Sequence, residues 1–161
     1  MASLICGSIA YDTIMNFEGK FADQILPEQI HILNVAFLVP TMRREFGGCA
    51  GNIAYNLHLL GGDPIIMATV GGDANPYMDH LKQLNIDSSH IRQIDNAFTA
   101  QAMITTDQTN NQITAFHPGA MSESHLNQVA SVVAERNKNA KGAAKFGIVA
   151  PDGRQIGRAH V

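Results

Sequence analysis

The sequence predicts an α/β fold: a doubly wound, mostly parallel sheet with β-rich excursions. Short apolar runs of strand length alternate with segments whose apolar residues fall at helical spacing, the pattern of a parallel sheet with crossover helices. Glycine pairs at 47–48, 61–62 and 71–72 stand where one period gives way to the other. Residues 13–46 and 98–118 read instead as β-rich departures from that sheet, of the size of a small lid.

Residues 4–10 form a short apolar run compatible with a buried strand. Residues 18–33 are mixed, with Gly19 and Pro27 as breakers. Residues 35–39 are apolar and stop at Pro40, so they read as another strand. From Ala50 the period changes. Ala50, Ile53, Ala54, Leu57 and Leu60 share a helical face, which Gly61 and Gly62 terminate. Residues 65–70 are the next buried strand, closed by Gly71 and Gly72. Pro76 suits the first turn of a helix, with Asn75 as its cap and Tyr77, Leu81 and Leu84 as its stripe. Residues 101–106 and 112–116 are rich in Thr and Ile, with Asn110 and Asn111 between them, which signals a hairpin ended by Pro118 and Gly119. Ser122 can cap a helix striped by Leu126, Val129, Val132 and Val133. A polar stretch and a strand at 146–150 follow.

Composition bounds the function. The chain has 161 residues and 17.4 kDa, one domain or a piece of one. Its 45% apolar and 16% charged residues are an ordinary globular balance. Lys and Arg total 11 against 14 Asp and Glu, a net charge of -3. A nucleic-acid or anionic-membrane surface normally needs a basic excess, so neither partner is expected. No apolar run approaches the ~20 residues of a membrane span. The N-terminus lacks the basic and apolar regions of a secretory signal. Two cysteines, Cys6 and Cys49, are too few for a disulfide framework, and a cytoplasmic setting is the default. The last six residues, 156–161, carry no periodicity. One set of codons for them, ATC GGA AGA GCA CAC GTC, resembles the start of a sequencing-library adapter. They are expected to be non-native, with the natural chain departing near Arg154 and the domain covering residues 1–155.

The Gly-rich segment at 47–52 lies where a strand becomes a helix. Glycines let backbone approach a ligand, and a helix N-terminus offers free N–H donors. No Gly-Lys-Ser/Thr follows, so it is not a P-loop, and the spacing is not that of a dinucleotide fingerprint. A ligand-facing turn and a plain tight turn both fit. Asp12 lies just past the first strand, where ligands of parallel sheets sit. It suits either a pair of vicinal hydroxyls or a solvated turn. The seven histidines show no zinc-like spacing, so no metal site is expected, and no His near Cys49 makes it a convincing nucleophile.

Together these segments resemble the ribokinase-like (PfkB) family of sugar and nucleoside kinases. Gly47, Gly48, Ala50, Asn52, Ala54, Gly61 and Gly71 meet the family's N-terminal signature. Residues 7–12 resemble its first-strand motif, and residues 70–73 its later turn. Residues 43–57 and 115–120 look most like bacterial adenosine kinases. The resemblance covers residues 3–154, about the first half of a family member. It implies an ATP- and Mg²⁺-dependent transfer of the γ-phosphoryl group to the 5′-hydroxyl of adenosine. It implies that Asp12 binds the ribose hydroxyls and that Gly48 and Asn52 complete the sugar site. Phe37 or Phe116 would face the base, with Gln101 a further polar candidate on a lid strand. Ribokinases usually carry Asn two positions before the Asp, and here Ala10 stands there, which favours a nucleoside over ribose.

The family's Gly-Ala-Gly-Asp segment, which carries the catalytic base, has no counterpart here. Asp152, Gly153 and Arg154 do not form it. No catalytic residue is therefore assigned, most of the ATP site is expected beyond Val161, and the chain alone is expected to be inactive. The alternatives are another sugar or nucleoside kinase of the same family, or a non-catalytic binding or assembly module. In the module the lid strands would pair with another copy, and a homodimer through the lid is a candidate assembly.

Overall fold

The computed structural model describes residues 2–138 and 144–153. The expected non-native tail lies outside them. The described chain forms two four-stranded sheets and three α-helices. In order these are β1 (Ala2–Cys6), β2 (Ala10–Asn16), β3 (Thr41–Gly47), α1 (Cys49–Leu59), β4 (Asp63–Gly71), α2 (Asn75–Gln83), β5 (Asp87–Ile94), β6 (Ala100–Thr106), β7 (Gln112–His117), α3 (Val129–Lys138) and β8 (Phe146–Val149).

The first sheet has the order β5-β4-β1-β8 and is parallel throughout. Its central strands β1 and β4 are buried on both sides, which their near-continuous apolar sequence requires. Side chains alternate between two cores. Ile5, Ile66, Ala68 and Val70 pack with Ala50 and Ala54 of α1 and with Tyr77 and Leu81 of α2. Leu4, Cys6, Ile65 and Met67 pack with Val132 of α3 on the other face. Helices on both faces make the sheet doubly wound, as expected. Each fully buried Ile contributes about 1.5–3 kcal/mol.

The second sheet has the order β3-β2-β6-β7 and is mixed: β2 pairs antiparallel with β3 and parallel with β6, and β6 forms a hairpin with β7. Asn110 turns this hairpin at φ 62°. The Asp107 carboxylate accepts hydrogen bonds from the backbone N–H groups of Phe21, Thr109 and Asn111, which hold it far below the usual carboxylate range.

The sheets meet at the end of β1. The apolar run at 4–10 is not one strand: β1 stops at Cys6, the chain turns through Gly7, Ser8 and Ile9, and Ala10 opens β2 in the other sheet. A second connection is Asp73, whose carboxylate accepts hydrogen bonds from Thr99 N and Oγ1, both at 2.7 Å, while Thr99 Oγ1 accepts one from Gly71 N.

Other local readings need correction. Residues 35–39 form no strand: Phe37 packs its ring on Phe17 and Phe21, and this contact, not a ladder, holds the run. The strand starts after Pro40. Asn75 is the first residue of α2 and not its cap: the N-cap is Ala74, without a side-chain cap bond. Ser122 lies inside a 3-10 segment, Gly119–Leu126, and α3 starts separately. At the end of α1, Gly61 takes φ 77°, and Gly61 and Gly62 N–H bond back to His58 and Leu57 carbonyls, a Schellman stop.

Candidate functional site

A cleft of about 360 Å³ opens at the carboxyl ends of β1 and β8, between the two sheets. Its lining includes Asp12, Gly48, Asn52, Phe116 and Asp152. This is the position where parallel sheets hold their ligands.

Gly48 builds the junction. Its φ is 87°, and a Cβ there would stand 2.6 Å from Ser8 O and from Ala10 N. Only glycine permits both the left-handed backbone and the contact. The turn aims α1 at the cleft, but its first donors are not free. Cys49 N donates to Ser8 Oγ at 3.0 Å and Ala50 N to Ser8 O at 2.9 Å. The helix N-terminus is thus committed in part to Ser8, which lies far away in sequence, in the turn after β1. Gly47 has its own reason: a Cβ there would fall onto the Asp12 carboxylate. Its carbonyl accepts a 2.8 Å hydrogen bond from Tyr77 Oη, which fixes α2 to the turn.

Asp12 lies within β2, opposite Glu45 and Ala102, not in a turn. It is half-buried, and burial raises its carboxyl above the ordinary value. Among the described residues its carboxylate has no hydrogen-bond or ion-pair partner. Asn52 sits in the first turn of α1. Its backbone N–H donates to Gly48 O and its carbonyl accepts from Asn56 Nδ2, while its side-chain amide has no partner among the described residues. Phe116, on β7, is 52% exposed. The cleft therefore holds a carboxylate acceptor, an amide and an aromatic face, the groups that a hydroxylated ring carrying a flat base would meet.

The structure does not bring Phe37 or Gln101 to this cleft. Phe37 packs on Phe17 and Phe21, with ring centroids 5.0 and 4.9 Å away, and so closes the insertion between β2 and β3. Gln101 bridges: its Oε1 accepts from Arg44 and its Nε2 donates to Asp73, each at 3.4 Å.

Asp152 is the residue the sequence reading left out. Burial pushes its carboxyl up to about 6, against a 2.9 Å hydrogen bond from Gly153 N to Oδ1 that lowers it. The signal was available, because Asp152 follows the apolar run of β8, just beyond a parallel strand. Among the described residues no group of three or more His, Cys, Asp or Glu side chains could hold a metal ion. No described helix is long and apolar enough to cross a membrane.

The pfkB carbohydrate kinase family model matches residues 12–151. A nucleoside kinase of Methanocaldococcus jannaschii is 36% identical over 123 residues, which cover 74% of this chain and 37% of that protein. The solved structure of Burkholderia thailandensis nucleoside kinase in complex with inosine is 52% identical, with a TM-score of 0.77 over 98% of this chain and 47% of that one. The M. jannaschii nucleoside kinase structure, described as an archaeal member of the ribokinase family, aligns at 26% identity and a TM-score of 0.72, covering 96% of this chain and 46% of that one. The chain thus spans about half the length of these structures or less.

Proposed function

Because the chain belongs to the pfkB family of carbohydrate kinases, we propose that it forms the acceptor-binding part of a nucleoside kinase. The observation that carries this reading is the meeting of Asp12, Asn52 and Phe116 around the Gly48 turn in one cleft. Asp12 accepts the two vicinal ribose hydroxyls through its otherwise unpartnered carboxylate, a charge-assisted pair of bonds. Asn52 reaches the same sugar with its free amide. Phe116 offers its ring to the base, and the second sheet serves as the lid that carries it over the ligand.

The whole enzyme would transfer the γ-phosphoryl group of ATP to the nucleoside 5′-hydroxyl, giving a nucleoside monophosphate and ADP. ATP with Mg²⁺ supplies the phosphoryl group and offsets its charge when bound. The described residues do not form that metal's site. Their part is to hold the ribose still, so that the 5′-hydroxyl points along one line of attack. The base that takes the hydroxyl proton is not assigned to any described residue.

The acceptor is read as a purine nucleoside. Adenosine is the acceptor implied by the resemblance of residues 43–57 and 115–120, and the inosine complex of the B. thailandensis kinase supports inosine equally. Steady-state kinetics of the complete enzyme on adenosine, inosine and 2′-deoxyadenosine test the reading. Asp12→Ala should raise KM for the ribonucleosides at least about tenfold, since bonds to a charged group are worth ~1.5–3 kcal/mol each. It should also remove most of the preference for ribo- over deoxyadenosine. An unchanged KM together with an unchanged preference would take Asp12 out of the site.

A further inference from the structure

A second groove, of about 510 Å³, runs between the edge strand β5 and the start of α3. It lies on the α3 face of the first sheet, away from the cleft between the sheets. His90 pairs with Met67 and Arg92 with Thr69 in the parallel ladder, so both project on the Met67 face. Asn127, Gln128 and Ser131 add to the polar lining, and among the described residues no Asp or Glu lines the groove. The neighbouring Asp87 is already paired with Arg136 at 2.8 Å.

Two independent features point to an anion. The first backbone hydrogen bond of α3 runs from Val132 N to Gln128 O. The amides of residues 129–131 therefore belong to the turn that an α-helix leaves without internal acceptors, at the positive end of its dipole. The second feature is Asn127, which is 5% exposed. Its Oδ1 accepts from Arg92 Nε at 3.4 Å, and its Nδ2 has no hydrogen-bond partner among the described residues. A buried amide donor rarely stays unpaired, and an acceptor arriving in the groove would satisfy it. Met67 and Val132 supply an apolar wall beside these donors. The groove is far larger than a bare oxyanion and falls in the range of small-molecule sites.

We propose that this groove is a second ligand site, taking a phosphate monoester of nucleotide size. The phosphate sits at the α3 N-terminus between Arg92 and Asn127, and the organic part lies along Met67 and Val132. The inference does not rest on the kinase reading, since it uses none of the residues of the first cleft.

Isothermal titration of the chain with inosine 5′-monophosphate, inorganic phosphate and inosine tests it. The monophosphate should bind saturably, and at least about tenfold more tightly than inorganic phosphate. Arg92→Gln, at an exposed position, should weaken it at least about tenfold, and so should the near-isosteric Asn127→Asp. In saturating inosine, which fills the first cleft, the monophosphate should still bind. Absence of saturable binding would overturn the proposal. So would equal affinity for inorganic phosphate, insensitivity to Arg92→Gln, or loss of binding in saturating inosine, which would place the ligand in the first cleft.

Discussion

Gly48 holds φ at 87° with the backbone of Ser8 and Ala10 against its Cα, so a methyl group there meets both strain and collision. Gly48→Ala should cost about 2–4 kcal/mol, from left-handed strain and overpacking of a rigid neighbour. Urea unfolding measures this, and a loss under 0.5 kcal/mol would show that the turn can relax. Asp152 sets a pH dependence. Its folded carboxyl is raised from 3.8 to about 6, so the folded state holds the proton more tightly. The stability it contributes is complete below about pH 4 and is lost as the pH rises through 6. Asp152→Asn should remove that fall. Unfolding free energies of the two proteins should therefore diverge between pH 4 and 7, with the variant the more stable at pH 7. Parallel profiles would mean that Asp152 titrates normally.

Among the elements, the Gly71–Asp73 turn decides how the two sheets stay joined, through the Asp73 carboxylate and Thr99. Asp73→Ala would strip acceptors from the Thr99 N–H and hydroxyl, at a cost of about 2–3 kcal/mol. Native-state hydrogen exchange should show the loss first in β6 and β7, and uniform weakening across both sheets would contradict the role of Asp73 as their latch. The elements that sequence alone made legible were those with a strong period. β4 is apolar almost throughout, and α1 carries a clean stripe closed by two glycines. β5 went unseen because Asp-Ser-Ser-His-Ile-Arg-Gln-Ile is an edge strand whose polar residues hide its period. Residues 35–39 misled because the run is held by the ring packing of Phe37 and not by a strand partner. The same limit applied to the cleft. Gly48 drew notice from its place in a glycine turn, Asp12 from its place after an apolar run, and Asn52 only through the family resemblance. That Phe116 lines the cleft while Phe37 packs on Phe17 and Phe21 is a matter of tertiary packing, which no local pattern encodes.

For the whole molecule, the chain spans less than half the length of the B. thailandensis and M. jannaschii structures quoted above. Residues 1–161 alone should show no ATP-dependent phosphorylation of adenosine or inosine, because positioning is lost when only the acceptor side is present. Turnover clearly above a no-enzyme control, in a preparation free of other kinases, would refute this. The parallel pairing of β2 with β6 has a further consequence, in time. Ala10 pairs with Ala100, so the strand that bears Asp12 leaves the ribosome ninety residues before its neighbour. At roughly 5–20 residues per second, that edge of β2 waits on the order of 5–20 s for its partner. During that interval Ile14 and Met15 lie beside an unpaired ladder edge, which other nascent chains can capture. Slowing synthesis between codons 16 and 100 should therefore raise aggregation, whereas slowing it after codon 117 should not.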